Sequence, residues 1–447
     1  MSDRPIPTDA EMIKLMRVYR KLTQEELAAP LNVSRGIVSK YETGDSPVPD
    51  HMLVAVAHEL GMEYIPRNEK GRDDYEEALQ IWYDSISDDD FEEAEKWREK
   101  LSVIKAFPHE KDFIIKFELH NCRLLLKLNK LDEAKKVLDV YEKKVDELND
   151  DQKHYYYFNK GTYNLKTANA SEASKFLNKS LKLTLTMFKK SFPLNFSIAY
   201  CQNGRGFIAQ AIILLEESRK LKRKGQSKVS LFWLYNLLGS NYSSIGLVDK
   251  AEKNNDKSFK IAEELKKEDE EKSKLYIGSA YLGYGYMYRK AKKYNFAISN
   301  FEKAIDILPD DDASYLETIF QKTICHIEMK DLTPCPRLIE VGLKRSKHNK
   351  VYNQMFRGLE IMANPYEDTA KILEEEIIPY LLEKGCIHVV LDFSRFLSAY
   401  YKTRGVGFVS RSYKMSELAF SLSERFHEGF NENENCWDNS RFGYVID

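Results

Sequence analysis

Glycine and proline are the residues this chain has least use for, with only 20 and 13 among 447 positions. A protein of turns and short strands needs both for its tight corners, so their scarcity points to long helices with short connections. No run of about eighteen apolar residues occurs, which excludes a helical membrane span. The opening stretch MSDRPIPTDAE has no apolar core of the signal-peptide kind. The six cysteines (Cys122, Cys201, Cys325, Cys335, Cys386, Cys436) are scattered, with no CxxC pair, as expected of reduced, buried thiols in a cytoplasmic protein. Nine histidines lack metal-ligand spacing, and no phosphate-binding glycine loop, nucleophile elbow or paired catalytic carboxylate stands out. The reading is therefore a non-enzyme with neither cofactor nor metal. Net charge is also nearly missing, at -2, so any attraction for nucleic acid must come from a local patch.

What is present begins with residues 23–44, TQEELAAPLNVSRGIVSKYETG. Thr23 is a helix cap, and Glu26 three residues on completes a capping box. Leu27, Ala28 and Leu31 share a helical face. Asn32 stands where a left-handed residue must end the helix, and Ser34 caps a second one. Two short helices joined by a tight turn make a helix-turn-helix, whose second helix is free to enter a DNA major groove. Pro30 would break the first helix if it ran on, so that helix ends or bends near Ala29. Helices are expected near 9–21, with Met12, Leu15, Met16 and Tyr19 inward, and near 24–30, 34–43 and 50–60.

The stretch resembles the phage-repressor (Xre-like) helix-turn-helix family, through Thr23-Gln24, Leu27-Ala28, Leu31, Val33-Ser34, Ser39, Glu42 and Gly44. For DNA contact the expected residues are Gln24, Ser34, Arg35, Gly36, Ser39 and Lys40. Arg35 would be the base reader, Gln24 a phosphate clamp or helix orienter, and Arg17 a further phosphate contact if it is not merely on a solvated face. Residues 1–66 hold seven Lys/Arg against ten Asp/Glu. A head that acidic binds DNA weakly alone, so two copies on paired half-sites are expected.

From about 73 to 427 the chain reads as amphipathic helix with an internal repeat. Small residues recur twelve apart: Gly161 with Ala173, Gly239 with Ala251, Gly285 with Ala297, Gly358 with Ala370. Cys122 with Ala134 and Thr323 with Cys335 keep the spacing, Ala94 extends the series backwards, and a missing member is expected near 212. Such spacing lets the two helices of a hairpin approach closely. The best copy, YLGYGYMYRKAKKYNFAISNFEKAIDILP at 281–309, resembles the tetratricopeptide repeat. Stacked hairpins of that kind make a right-handed solenoid whose first helices line a concave groove. Groove-facing positions in register are Trp233, Asn236, Ser240, Ser243, Tyr286 and Arg289, with Arg123 and Thr162 further along. As a set they suit a peptide, and for each alone packing against the neighbouring repeat is the competing reading. The basic run 219–228 is a second nucleic-acid site or, more in keeping with helix-end cations, a solvated helix end.

The expected fold is all-α: residues 1–66 a helix-turn-helix domain, 67–74 a linker, 75–427 the tetratricopeptide-type solenoid of about eight to nine hairpins, and 428–447 a tail that docks or stays loose. This layout resembles the peptide-pheromone regulators of the Rgg, PlcR, PrgX and NprR group. The resemblance implies a cytoplasmic, homodimeric quorum-sensing transcription factor with two partners, double-stranded DNA and a short signalling peptide bound in the groove. A solenoid that binds a protein such as a response regulator, or a constitutive repressor without a peptide, remain the alternatives.

Overall fold

The described residues are mostly helix joined by short turns, with one two-residue strand pair, Phe430–Asn431 with Cys436–Trp437. The computed structural model describes residues 9–59, 69–105, 111–167, 169–187, 191–221, 227–310, 312–427, 430–431 and 436–437. Residues 1–8, most of the tail and the side chains of Met12, Leu15, Met16 and Tyr19 lie outside that set. No helix among the described residues is long and apolar enough to cross a membrane.

Four helices open the chain: α1 (Asp9–Tyr19), α2 (Gln24–Ala28), α3 (Arg35–Thr43) and α4 (Asp50–Glu59). Their ends follow from local chemistry. Thr23 Oγ1 accepts from the Glu26 amide while Glu26 Oε2 accepts from the Thr23 amide, so the capping box is formed. Pro30 sits in the turn beyond α2, where it removes no helical hydrogen bond. Asn32 has φ +56° and Gly44, the C-cap of α3, has φ +78°. Ile13, Leu27, Ala28, Val38, Leu53 and Val56 form one small core.

Nine helical hairpins follow among the described residues. Helix begins at Glu69, inside the stretch expected as linker. The repeat logic holds at its second members: Ala134, Ala173, Ala251, Ala297, Cys335 and Ala370 are all fully buried. The missing copy is the hairpin Phe192–Gly204 with Ile208–Lys220. There Ala199 and Ala211 take the two small positions, both without exposed surface. At Trp82, twelve before Ala94, a buried indole stands where a small residue is the rule. The close approach is real at Gly285, where a Cβ would lie 2.3 Å from Phe301 Cε1. The basic run begins at a helix end, with Arg219 and Lys220 in the last turn of Ile208–Lys220, and its residues 222–226 lie outside the described set. Asp90 and Asp269 cap helix starts by accepting from the Glu93 and Lys272 amides.

The chain forms two compact units, Met1–Asn159 and Lys160–Asp447. Within the second, the last hairpin returns to the hairpin 192–220. A Cβ on Gly206 would lie 2.8 Å from Ile387 Cγ2 and 3.4 Å from Phe426 Cε1. One hydrophobic core runs from Phe192 through Phe320, Phe356 and Phe393 to Phe426.

Candidate functional site

The second helix of the motif, α3, is anchored on one side and bare on the other. Ser34 Oγ accepts from the Ile37 amide at 3.3 Å, fixing its start. Val38 and Glu42 face the core. Arg35, Gly36 and Lys40 are exposed and Ser39 is half-buried, so the residues expected to read DNA share an outward surface. Ile37 belongs to that surface too, being 38% exposed. Its apolar side chain suits the methyl group of a thymine.

Arg17 and Gln24 do something else. Arg17 Nε and Nη2 donate to Glu42 at 2.5 and 3.0 Å, and its Nη1 donates to the Leu22 carbonyl at 2.7 Å. Gln24 Nε2 donates to the same carboxylate at 2.8 Å. Burial pushes the Glu42 carboxyl up, but the hydrogen bonds of Arg17 and Gln24 outweigh it and hold the group below the usual range. The three side chains tie α1 and α2 to α3. Arg17 is thus turned inward to a carboxylate with three of its five N–H donors engaged, and Gln24 shares that carboxylate of α3.

In the second unit, Trp233, Asn236, Ser240 and Tyr286 are half-buried, while Ser243 and Arg289 are buried. Trp233 meets Phe232 and Tyr276 edge-on at 4.9 and 6.1 Å. Asn236 Nδ2 donates to the Ser279 carbonyl of the next first helix at 3.1 Å. Ser243 Oγ donates to the Gly239 carbonyl, and Ser244 Oγ to that of Ser240. Tyr286 Oη lies 3.1 Å from Ser244 Oγ and 3.4 Å from His388 Nδ1.

Arg289 is the hub. It donates to Gln321 Oε1, Glu328 Oε1 and Asp392 Oδ2, each at 2.8 Å. The Asp392 contact spans 103 residues and joins the helices Glu270–Lys290 and Ile387–Thr403. Burial would raise the Asp392 carboxyl, but Arg289 and Lys290 pull it down to about 2. Burial drives His388 down to about 3, with Lys290 and Arg289 adding to the effect. Gln321 passes the network on to Glu317 Oε1 at 2.7 Å, and Tyr352 Oη donates to Glu317 Oε2 at 3.4 Å. Burial raises the Glu317 carboxyl, against the pull of those two bonds. Asp392, Glu328, Glu317 and Gln321 carry no motif. Only the fold brings them to Arg289.

Arg123 and Thr162 belong to different units. Arg123 is buried in the first, its guanidinium 4.1 Å from the centre of the Phe158 ring. Thr162 is half-buried in the second. Among the described residues no group of acidic, histidine or cysteine side chains has the arrangement of a metal site.

Residues 7–64 match the Helix-turn-helix family. No curated protein matches the chain in sequence. Among solved structures, a Rap protein complexed with Competence and Sporulation Factor aligns with a TM-score of 0.66 and 14% identity, covering 80% of this chain and 99% of that one. NprR in complex with its cognate peptide NprX aligns at 0.64 with 18% identity, covering 78% and 99%. The apo quorum sensor NprR from B. thuringiensis aligns at 0.57, with the same identity and coverage. The chain is thus of the class that joins an Xre-like helix-turn-helix to a tetratricopeptide-like helical fold. That fold is shared with quorum-sensing regulators.

Proposed function

We propose that this protein is a cytoplasmic transcription regulator of the quorum-sensing kind. Two copies present α3 to paired half-sites of double-stranded DNA, and the repeat domain binds a short signalling peptide that controls the pairing of the heads. The observation that carries the reading is the bare face of α3, with Arg35, Gly36, Ile37 and Lys40 outward on a helix held from behind by Glu42. Ser34 and Ser39 flank that face, and Arg17 and Gln24 position it. Support for the peptide comes from the shared fold, since NprR was solved with NprX. The accessible polar set Trp233, Asn236, Ser240 and Tyr286 is the proposed peptide face, with Arg289 joining the helices behind it. Thr162 and Ser243 complete the positions in register within the second unit, while Arg123 lies buried in the first. The functional divisions are 1–66 for DNA, 67–74 as connection, 75–427 for the peptide and 428–447 as tail.

The test is a gel shift on the region upstream of the gene, with and without short peptides encoded beside it, paired with calorimetry. A sequence-specific complex whose affinity changes at least tenfold with one peptide is the expected result. A peptide that binds without altering DNA affinity would leave a DNA regulator without this sensor. A response-regulator protein captured by the repeats and displaced by the peptide would favour the protein-binding alternative.

A further inference from the structure

In a stacked array of hairpins each one touches only its neighbours in sequence. The last hairpin, 387–427, follows 350–383 and departs from that rule. It reaches back to the hairpin 192–220, where a Cβ on Gly204 would lie 3.7 Å from the Gly385 carbonyl oxygen and one on Gly206 2.8 Å from Ile387 Cγ2. It also meets the hairpin 270–307 through polar groups. Arg289 Nη2 donates to Asp392 Oδ2 at 2.8 Å, and the rings of Tyr286 and His388 stand edge-on with centres 6.4 Å apart. The second unit is thereby closed along a seam. That seam crosses the proposed peptide face, since Tyr286 belongs to both. An ion pair and an imidazole on a phenol are unlike interlocking apolar chains. A buried ion pair adds little net stability, because desolvation offsets the attraction. This pair can also part without stranding its cation. Gln321 and both carboxylate oxygens of Glu328 hold Arg289 independently of the last hairpin. Asp392 is drawn across the seam a second time by Lys290, whose Nζ lies 3.9 Å from Oδ1.

We propose that this seam is a latch on the peptide face: Asp392, held by Arg289 and Lys290, keeps the last hairpin shut over Tyr286, and the face opens when that carboxylate is released. The inference rests on the proposed function for what the latch guards. A ligand that needs the open form binds with its intrinsic affinity reduced by the open fraction, so the latch sets the threshold of the response. Cys386 reports on the seam from within. It is half-buried between Gly385 and Ile387, and burial pushes its thiol up to about 12. Opening the seam brings that thiol into water and back towards its ordinary range, where it reacts faster.

The test is labelling of the full-length chain with N-ethylmaleimide, followed cysteine by cysteine by mass spectrometry, for wild type, Asp392→Asn and the milder Lys290→Gln. Cys335, fully buried in the hairpin 313–345, reports unfolding of the same unit. Asp392→Asn is expected to speed labelling of Cys386 about fivefold and Lys290→Gln about twofold, with Cys335 unchanged. Labelling of Cys386 that stays at the wild-type rate in both folded variants overturns the latch. A rise that Cys335 shares in both overturns it too, because Arg289 and Asp392 are then a strut of the core. Neither DNA nor peptide enters the measurement. A gel shift indifferent to every peptide therefore removes the occupant and leaves the latch standing.

Discussion

At the residue scale, the head separates the side chains proposed to read DNA from those that hold α3 in place. Arg35 is exposed, N-terminal on α3 and free of any role in the core. Arg35→Ala is expected to lower operator affinity at least tenfold with an unchanged melting temperature, since a bidentate contact to guanine supplies ~1–3 kcal/mol of discrimination. Undiminished gel-shift affinity would remove Arg35 from the reading face. Glu42 predicts the reverse pattern. Its side chain is nearly buried and takes three donors from Arg17 and Gln24. Glu42→Ala leaves the Arg17 guanidinium unpaired in a partly buried site, costing about 2–3 kcal/mol, and DNA binding should fall only in step with the folded fraction. Because the carboxyl is held below its ordinary range, its contribution is present at neutral pH and is lost as pH falls through that lowered value. Chemical denaturation of the wild type and variant at pH 7 measures the difference. Arg17 also marks a limit of sequence reading. A cation near the end of α1 looks like a phosphate contact until the fold brings Glu42 beside it from 25 residues away.

At the element scale, the hairpins were legible because their physics is local. Two helices that must approach closely need a small residue on each at a fixed separation, and twelve residues is that separation. Even the weak copy near 212 obeys it through Ala199 and Ala211. What the spacing could not tell is where a hairpin finds its long-range neighbours. The Arg289–Asp392 pair crosses 103 residues, and no periodicity announces it. The same locality makes Gly285 a sharp test. Its helical φ is ordinary, so only space matters, and a Cβ there would meet the Phe301 ring at 2.3–2.9 Å. Gly285→Ala should destabilise the second unit by about 1–3 kcal/mol through overpacking, and adding Phe301→Leu should recover part of the loss. Gly246→Ala is the contrast, with open space within 4 Å but φ +78°, where the cost is backbone strain of about 1 kcal/mol. If the double variant is no more stable than Gly285→Ala alone, the close approach to Phe301 is not what the glycine serves.

At the scale of the whole molecule, two separate cores each bury a histidine in its neutral form. In the first unit His120 is 2% exposed among Trp82, Tyr83 and Tyr155, and neither ring nitrogen has a hydrogen-bond partner. Burial, followed by the charge of Lys116, pushes it down to about 3, with Asp151 opposing and His154 adding to the shift. In the second unit His388 is held at about 3. Between the ordinary value of 6.5 and about 3 the unfolded chain binds a proton that the folded chain refuses, so stability falls as pH falls, by about 1.4 kcal/mol per pH unit for each histidine. Asp392 pushes the same way lower down, losing its contribution as pH drops below the ordinary carboxylate range towards about 2. Melting followed from pH 7.5 to 5 should therefore soften both units from about pH 6.5 downward, through two transitions where the units melt separately. His120→Phe keeps a ring among the aromatic neighbours and removes the proton site. It should flatten the dependence of the first unit while leaving that of the second intact. A wild-type melt that stays level from pH 7 to 5 would mean that these imidazoles reach water and bind protons in the folded chain.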